Sequence, residues 1–209
     1  MIDGAFLRKK FHATFKRDIV ANDVEQIVKC ILNSIKKENK SFRAYFYDCN
    51  PCTVKTSYPI SNKKYWFEET EQYKKGVELL KSISELDFFA VRLGELQFSG
   101  WSLKKNCYEN REPYTDECFT PNLSQKGVDI KIGLDIAWIS YQKTAKNIVL
   151  ITGDSDFVPA IKVARRNGVF VWLYTLNHNV KPELIKNADV AKKDDLQRII
   201  YGVYHEYPC

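Results

Sequence analysis

No run of apolar residues in this chain approaches the ~20 that a bilayer requires, so nothing in the sequence reads as a membrane span. Met1-Ile2-Asp3-Gly4 lacks the basic region and apolar core of a secretory signal. Without such a signal, six cysteines point to free thiols in a reducing cytosol, and a cytoplasmic location is expected. Zinc is poorly provided for. Cys49-Asn50-Pro51-Cys52 is one CxxC, but Cys107 and Cys118 lack the tight spacing of a second pair, so Cys49 and Cys52 are expected to hold neither zinc nor an obligatory disulfide. Histidine is scarce and scattered (His12, His178, His205), which leaves a histidine base little support. Neither an internal repeat nor a low-complexity tract interrupts the chain.

The chain does have the length of one α/β domain, 209 residues, and a globular composition of 44% hydrophobic and 13% aromatic residues. The formal net charge of +6 is compatible with a phosphate-bearing partner without demanding one.

Its most telling stretch is Ile148-Val149-Leu150-Ile151-Thr152-Gly153-Asp154-Ser155-Asp156-Phe157. An unalternating apolar run of this length predicts a strand buried on both faces, central in a parallel sheet. Phe157, Ala160, Ile161 and Ala164 recur at helical spacing up to Asn167-Gly168, and Val169 to Leu173 reads as the next strand. Strand, helix and strand make a βαβ unit, with Asp154 and Asp156 at the carboxyl end where ligands gather in open α/β sheets. Pro159 suits an early helical position, which makes Asp156 a natural N-cap. One cap leaves Asp154 unexplained, because a second carboxylate there adds repulsion unless a cation offsets it.

Elsewhere, Val24, Ile27, Val28, Ile31, Leu32 and Ile35 predict a helix capped by Asn22 or Asp23. Strands are expected at 43–47, ending at Asp48, and at 88–93, closed by Gly94. Between them, 68–83 reads as a helix with Tyr73, Val77 and Leu80 inward. From 95 to 122 the pattern dissolves into an irregular insertion, either a hairpin or a long surface loop. Val128, Ile132, Ile136 and Ile139 line one face of a further helix, and Leu134 and Trp138 share another. Asp129 and Asp135 on it lie about 120° apart around the axis, so one of them at most is expected to face the Asp154 site. A short helix at 181–185 and a second from 189 to 200 complete the reading.

Alternating strands and helices give a three-layer α/β/α sandwich with a mainly parallel sheet, expected as one domain over 1–209. Asp3, Asp48, Asp129, Asp154 and Asp156 stand at or near element ends in it. Carboxylates crowded into one crevice stay ionised cheaply only around a hard divalent cation, and oxygen-only ligands favour Mg2+ or Mn2+ over zinc.

Asp3-Gly4, Lys126-Gly127-Val128-Asp129 and Thr152-Gly153-Asp154-Ser155-Asp156-Phe157 resemble the three acidic motifs of the NYN domain. That family includes the LabA-like, or DUF88, proteins and is related to PIN and FLAP nucleases. The resemblance implies a PIN-like sheet and a divalent-metal-dependent ribonuclease acting through Asp3, Asp129, Asp154 and Asp156; Asp135 and Asp48 stand as further acids from the reading of the residues alone. RNA, single-stranded by preference, is the implied partner. Arg8, Lys9, Lys126, Lys162, Arg165 and Arg166 are candidates to hold it, and aromatics of 95–122 to stack its bases, with self-association left open. Two departures stand out. Phe6 occupies a position where many members carry asparagine, and the first strand lacks its usual apolar lead-in, which leaves open a start upstream of Met1. A haloacid-dehalogenase-type phosphatase would need a second acid two residues after Asp3, where Ala5 stands. A non-catalytic RNA- or protein-binding module on the same fold is the rival from another class.

Overall fold

Two interior strands, β1 (Ile2–Asp3) and β7 (Asn147–Ile151), form the middle of a seven-stranded sheet in the computed structural model, which describes residues 1–35, 43–108 and 113–201. Their neighbours are β2 (Ala44–Asn50), β5 (Phe89–Leu103), β6 (Phe119–Lys126), β8 (Phe170–Tyr174) and β9 (Val190–Lys192), in the order β6-β5-β2-β1-β7-β8-β9. Every pairing is parallel except β5 with β6. A separate ribbon joins β3 (Lys55–Ser57) to β4 (Lys64–Trp66).

Helices cover both faces, giving the three-layer mixed α/β architecture. On one side α1 (Gly4–Phe15), α2 (Ala21–Ser34), α3 (Glu71–Ser84) and α7 (Leu196–Tyr201) bury Leu7, Phe11, Val24, Ile27, Ile83 and Leu196 with Phe46 and Ile151. On the other, α4 (Val128–Tyr141), α5 (Val158–Arg166) and α6 (Pro182–Asn187) bury Ile132, Ile136, Ile161 and Leu184 against Tyr47, Leu150 and Leu173. Both faces of β7 are thereby sealed, which is why its sequence does not alternate.

Several boundaries differ from expectation, each for a local reason. Sequence periodicity does not reveal α1, whose fully buried large side chains are only Leu7 and Phe11, with Phe6 and Phe15 half-buried beside them amid basic residues. The N-cap of α2 is Val20, and Asp23 reaches back from the first turn to accept the Val20 N–H at 2.9 Å. On α3 the inward residues are Leu79, Leu80 and Ile83, while Val77 is exposed. β2 runs past Asp48 to Asn50, so that acid lies inside a strand. β5 does not stop at Gly94. A side chain there would overlap the Lys126 carbonyl and approach Val128 Cγ2 at 2.8 Å, so the glycine lets β6 and the start of α4 pass close by. Beyond it, 95–103 pairs with 119–126 as a hairpin. Lastly, the helix expected over 189–200 is split. Val190–Lys192 adds β9 to the sheet edge, and α7 begins after Asp195, which accepts the Arg198 N–H at 2.8 Å.

Candidate functional site

Parallel strands deliver their carboxyl ends to one side of a sheet. Asp3 ends β1 and pairs in register with Tyr47, beside Asp48 on β2, while Ile2 pairs with Ile151, beside Thr152 beyond β7. Asp3 is fixed by both of its oxygens. Oδ1 accepts the Phe6 N–H at 3.0 Å and so caps α1; Oδ2 accepts the Thr152 hydroxyl at 3.0 Å. Thr152 Oγ1 in turn accepts the Asp154 N–H at 3.2 Å. One buried hydroxyl thus ties the β1 acid to the loop carrying Asp154.

The cap after β7 is Asp154 rather than Asp156. Asp154 Oδ1 accepts the Asp156 N–H at 2.9 Å and starts the 3-10 turn Ser155–Phe157, from which α5 continues with Pro159 in its first turn. This leaves Asp156 on the exposed side of that turn. Asp129 comes from the first turn of α4, where Gly127, at φ 79°, ends β6 and turns the chain into the helix.

Electrostatics couple these acids. Burial raises the Asp3 carboxyl above its ordinary value, against the lowering by Phe6 and Thr152, and the charges of Asp129 and Asp48 add to the rise. Asp129 is also raised, by burial first and then by Asp154 and Asp156. Four carboxylates therefore share one field, and among the described residues none of them is held in an ion pair. The donor set is oxygen-only, which suits a hard cation that keeps part of its water shell and takes only one or two carboxylates directly. As placed, no three His, Cys, Asp or Glu side chains among the described residues close up tightly enough to hold a metal by themselves.

The two further acids have other partners. Asp135 accepts the Tyr47 hydroxyl at 2.9 Å and lies 3.4 Å from Arg92 Nε. Burial, and then the Asp135 hydrogen bond, push the Tyr47 phenol far up, so it donates in that pair. Asp48 is buried and accepts from Arg8 Nη2 at 2.9 Å, the Cys49 N–H at 2.8 Å and Gln125 Nε2 at 3.4 Å.

Of the basic candidates, Arg8 is thus bound to Asp48, while Lys9 is exposed on α1 and Lys126 is exposed at the end of β6, next to Asp129's helix. Lys162 faces Glu183 at 3.9 Å, and Arg165 bonds Asp189 at 2.8 Å and the Asn187 carbonyl at 3.2 Å. Arg165 and Arg166 end α5, about 12 Å along the helix from its start beside Asp154. Among the aromatics of 95–122, Trp101 packs with Tyr58, Tyr65 and Phe98 at centroid distances of 5.2, 5.0 and 5.8 Å. Cys49 and Cys52 are buried, free thiols.

The sequence reading passed over two residues at this rim. Thr152 carries no motif signal of its own beyond standing before Gly153. His178 stands against Phe6, ring centroids 5.7 Å apart, and a Cβ on Gly153 would meet both rings at 2.7 Å. A turn with Leu176 at φ 48° and Asn177 at φ 52° presents His178, closed by its N–H to the Thr175 carbonyl at 2.8 Å. Leucine in the left-handed region gives no sequence cue.

The NYN domain profile matches residues 23–193. The chain belongs to the NYN domain family. Members of that family are generally nuclease-like, which suggests interaction with nucleic acid, and nucleases of this kind typically use divalent metals. A crystal structure of a protein of unknown function from Vibrio parahaemolyticus superposes with a TM-score of 0.50 at 16% identity, over 93% of this chain and 91% of that one. Likeness at that identity speaks to the fold alone. No curated protein gives a significant match. Among the described residues, no helix is long and apolar enough to cross a membrane.

Proposed function

We propose that this NYN protein, as a single domain of the LabA-like (DUF88) branch, is a Mg2+- or Mn2+-dependent endoribonuclease. The observation that carries the reading is the shared field of four carboxylates drawn from β1, the start of α4 and the loop after β7. Of Asp3, Asp129 and Asp154, one or two would hold the cation directly and the remainder through its water shell, as would Asp156 on the exposed side of its turn. When bound, the cation supplies Lewis-acid polarisation of a phosphate and a water of lowered pKa. The chain's own contribution is to orient. Thr152 holds Asp3 and the Asp154 loop in one register, and the caps on α1 and the 3-10 turn fix both carboxylates before substrate arrives. Lys126 and Lys9 supply the solvent-facing positive charge for an RNA backbone, so binding is weak and salt-sensitive.

One assay on labelled single-stranded RNA tests this. Cleavage is expected with Mn2+, none with chelator, and a loss of at least ~100-fold in Asp154→Asn, the range already reached by losing groups that merely support a metal ligand. Asparagine retains an oxygen for the Asp156 N–H, and one like charge is gone, so stability should hold or rise. Cleavage surviving both chelator and Asp154→Asn sinks the proposal. Absence of cleavage together with no metal binding by calorimetry transfers the fold to a non-catalytic binding module.

A further inference from the structure

Four of the cysteines fall into two pairs, Cys49 with Cys52 and Cys107 with Cys118, in unlike surroundings. Cys49 and Cys52 are buried. Cys49 Sγ donates to the Glu95 carbonyl at 3.3 Å, and burial, foremost, pushes its thiol up. A thiol held in that way is a poor nucleophile.

The end of the β5–β6 hairpin brings Cys107 and Cys118 together. Leu103 pairs with Phe119, and the next residue, Lys104, donates its N–H to the Cys118 carbonyl at 2.8 Å. From Lys104 a 3-10 turn, Lys105–Cys107, is closed by the Cys107 N–H to the Lys104 carbonyl at 3.0 Å. A second, Asp116–Cys118, is closed by the Cys118 N–H to the Thr115 carbonyl at 3.0 Å. Both turns lead to one spot, where the Cys107 thiol donates a weak hydrogen bond to Cys118 Sγ. Cys107 is buried, while Cys118 is half-buried and so open to solvent in part.

That contact gives the two sulfurs different chemistry. The Cys107 thiol is raised above its ordinary value, by the Cys118 contact first and then by burial. Cys118 is lowered, by the Cys107 thiol first and then by the Thr115 N–H, with the Thr115 hydroxyl and the Lys104 charge assisting against burial. A partly exposed sulfur that ionises readily, backed by a second that keeps its proton, is the arrangement of an attacking and a resolving thiol. A metal is not the better explanation, because no three His, Cys, Asp or Glu side chains among the described residues gather to hold one.

We propose that Cys107 and Cys118 are a redox-active dithiol, which a small-molecule disulfide closes to a disulfide across the end of the hairpin. The Cys118 thiolate attacks one sulfur of the oxidant, whose S–S bond breaks, and the small thiolate that leaves takes a proton from water. Cys107 then attacks Cys118 Sγ and expels the second small thiolate, which takes the Cys107 proton. Two protein thiols are oxidised by two electrons, and the oxidant is reduced to two thiols. The new bond closes residues 108–117 into a loop and fixes the turn Asp116–Cys118. Asp116 Oδ1 accepts the Ile60 and Ser61 N–H groups at 3.1 and 3.2 Å, and so anchors the turn of the β3–β4 ribbon. Oxidation therefore fastens the ribbon to the hairpin, and reduction loosens it.

The proposal is independent of the nuclease reading, and its readouts are covalent and dynamic rather than catalytic. The reduced full chain is treated with oxidised glutathione and mapped by tryptic peptides under non-reducing conditions. One disulfide, Cys107 to Cys118, is expected, with the loss of two hydrogens from the chain and reversal by dithiothreitol. Cys107→Ser should stop at a glutathione adduct on Cys118, and Cys118→Ser should leave Cys107 unmodified over the same period. Circular dichroism checks that both variants are folded. On reduced wild type near neutral pH, iodoacetamide should alkylate Cys118 at least ~10-fold faster than Cys49 or Cys52. Amide exchange at Ile60 and Ser61 should slow severalfold on oxidation. Separate adducts on Cys107 and Cys118, pairing of either with another cysteine, or no reaction at Cys118 overturns the proposal. Exchange at Ile60 and Ser61 that oxidation leaves unchanged overturns the link to the ribbon.

Discussion

Replacing Arg8 by methionine keeps an apolar stem over α1 but leaves the Asp48 carboxylate, only 3% exposed, without its cation. Removing one partner of a buried pair costs about 3–5 kcal/mol. Arg8 is itself 42% exposed, so water enters the vacated place, and the Cys49 N–H and Gln125 still reach the same oxygen. The cost should therefore fall to about 2 kcal/mol near neutral pH once solvent screening is allowed for. At 2–4 °C per kcal/mol for a chain of this length, that is a Tm drop of about 4–8 °C. The sign with pH follows from Asp48, which burial raises above its ordinary value against the opposing pull of the Arg8 charge, the Cys49 N–H and the Arg8 hydrogen bond. A carboxyl whose folded value lies above its unfolded one favours the fold while protonated, and that contribution disappears as pH rises through the folded value. Loss of Arg8 raises the folded value further. The penalty of Arg8→Met should thus be full at about pH 8 and shrink as pH falls towards about 4, the unfolded carboxyl's range. Urea unfolding followed by tryptophan fluorescence, on the four proteins of an Arg8→Met and Asp48→Asn cycle at both ends of that window, measures it. Asp48→Asn should recover most of the loss in the Arg8→Met background at high pH. A penalty that grows as pH falls, or one that Asp48→Asn does not relieve, would refute the reasoning.

Two glycines beside the site should separate stability from activity. A Cβ on Gly4 meets the Tyr47 carbonyl at 2.6 Å and the buried Phe46 ring at 2.8 Å, so Gly4→Ala should cost about 2–3 kcal/mol in urea unfolding. On Gly153 the Cβ meets side chains alone, the exposed His178 and the half-buried Phe6, so Gly153→Ala should cost less than Gly4→Ala, about 1 kcal/mol, yet reduce RNA cleavage more than Gly4→Ala does. At Asp23, burial acts to raise the carboxyl, but the Arg17 hydrogen bonds at 2.7 Å, the Val20 N–H and the Arg17 charge outweigh it and hold it below the usual range. Its contribution to the fold is present above the ordinary carboxyl range and is lost as pH falls through the folded value. The gap in urea midpoint between wild type and Asp23→Asn should accordingly be wide at about pH 7 and close towards about pH 3.

The parts of the fold that sequence made visible are those where burial acts on every residue of a short run. β7 and β8 are covered on both faces, so nothing dilutes their apolar character, and the βαβ unit between them was readable together with its acids. Beyond Glu95, β5 pairs with β6 alone and packs on the β3–β4 ribbon rather than under a helix, and so its alternation is shallow and mixed with aromatics that pack on one another. β9 was hidden for a different reason. Three residues at a sheet edge carry no period that distinguishes them from the start of a helix, and Asp195 rather than Asp189 marks where α7 begins.

For the candidate site, the residue types were legible and their division of labour was not. Which acid caps and which stands clear depends on a single N–H, that of Asp156 choosing Asp154, and sequence placed Asp156 in that role on the strength of Pro159. What decides the arrangement is Thr152, whose hydroxyl spans 149 positions of sequence to reach Asp3. Such a contact exists only because β1 and β7 are neighbours in the sheet. It carries a mechanistic consequence. Asp3, half-buried, and Asp129, exposed in the first turn of α4, repel each other, which by itself would swing the side chains apart. Asp3 does not swing, because one oxygen is held by α1 and the other by Thr152. The repulsion is therefore retained in the folded protein and is available to be relieved by a cation, the arrangement expected of a site held in place by the hydrogen bonds around it.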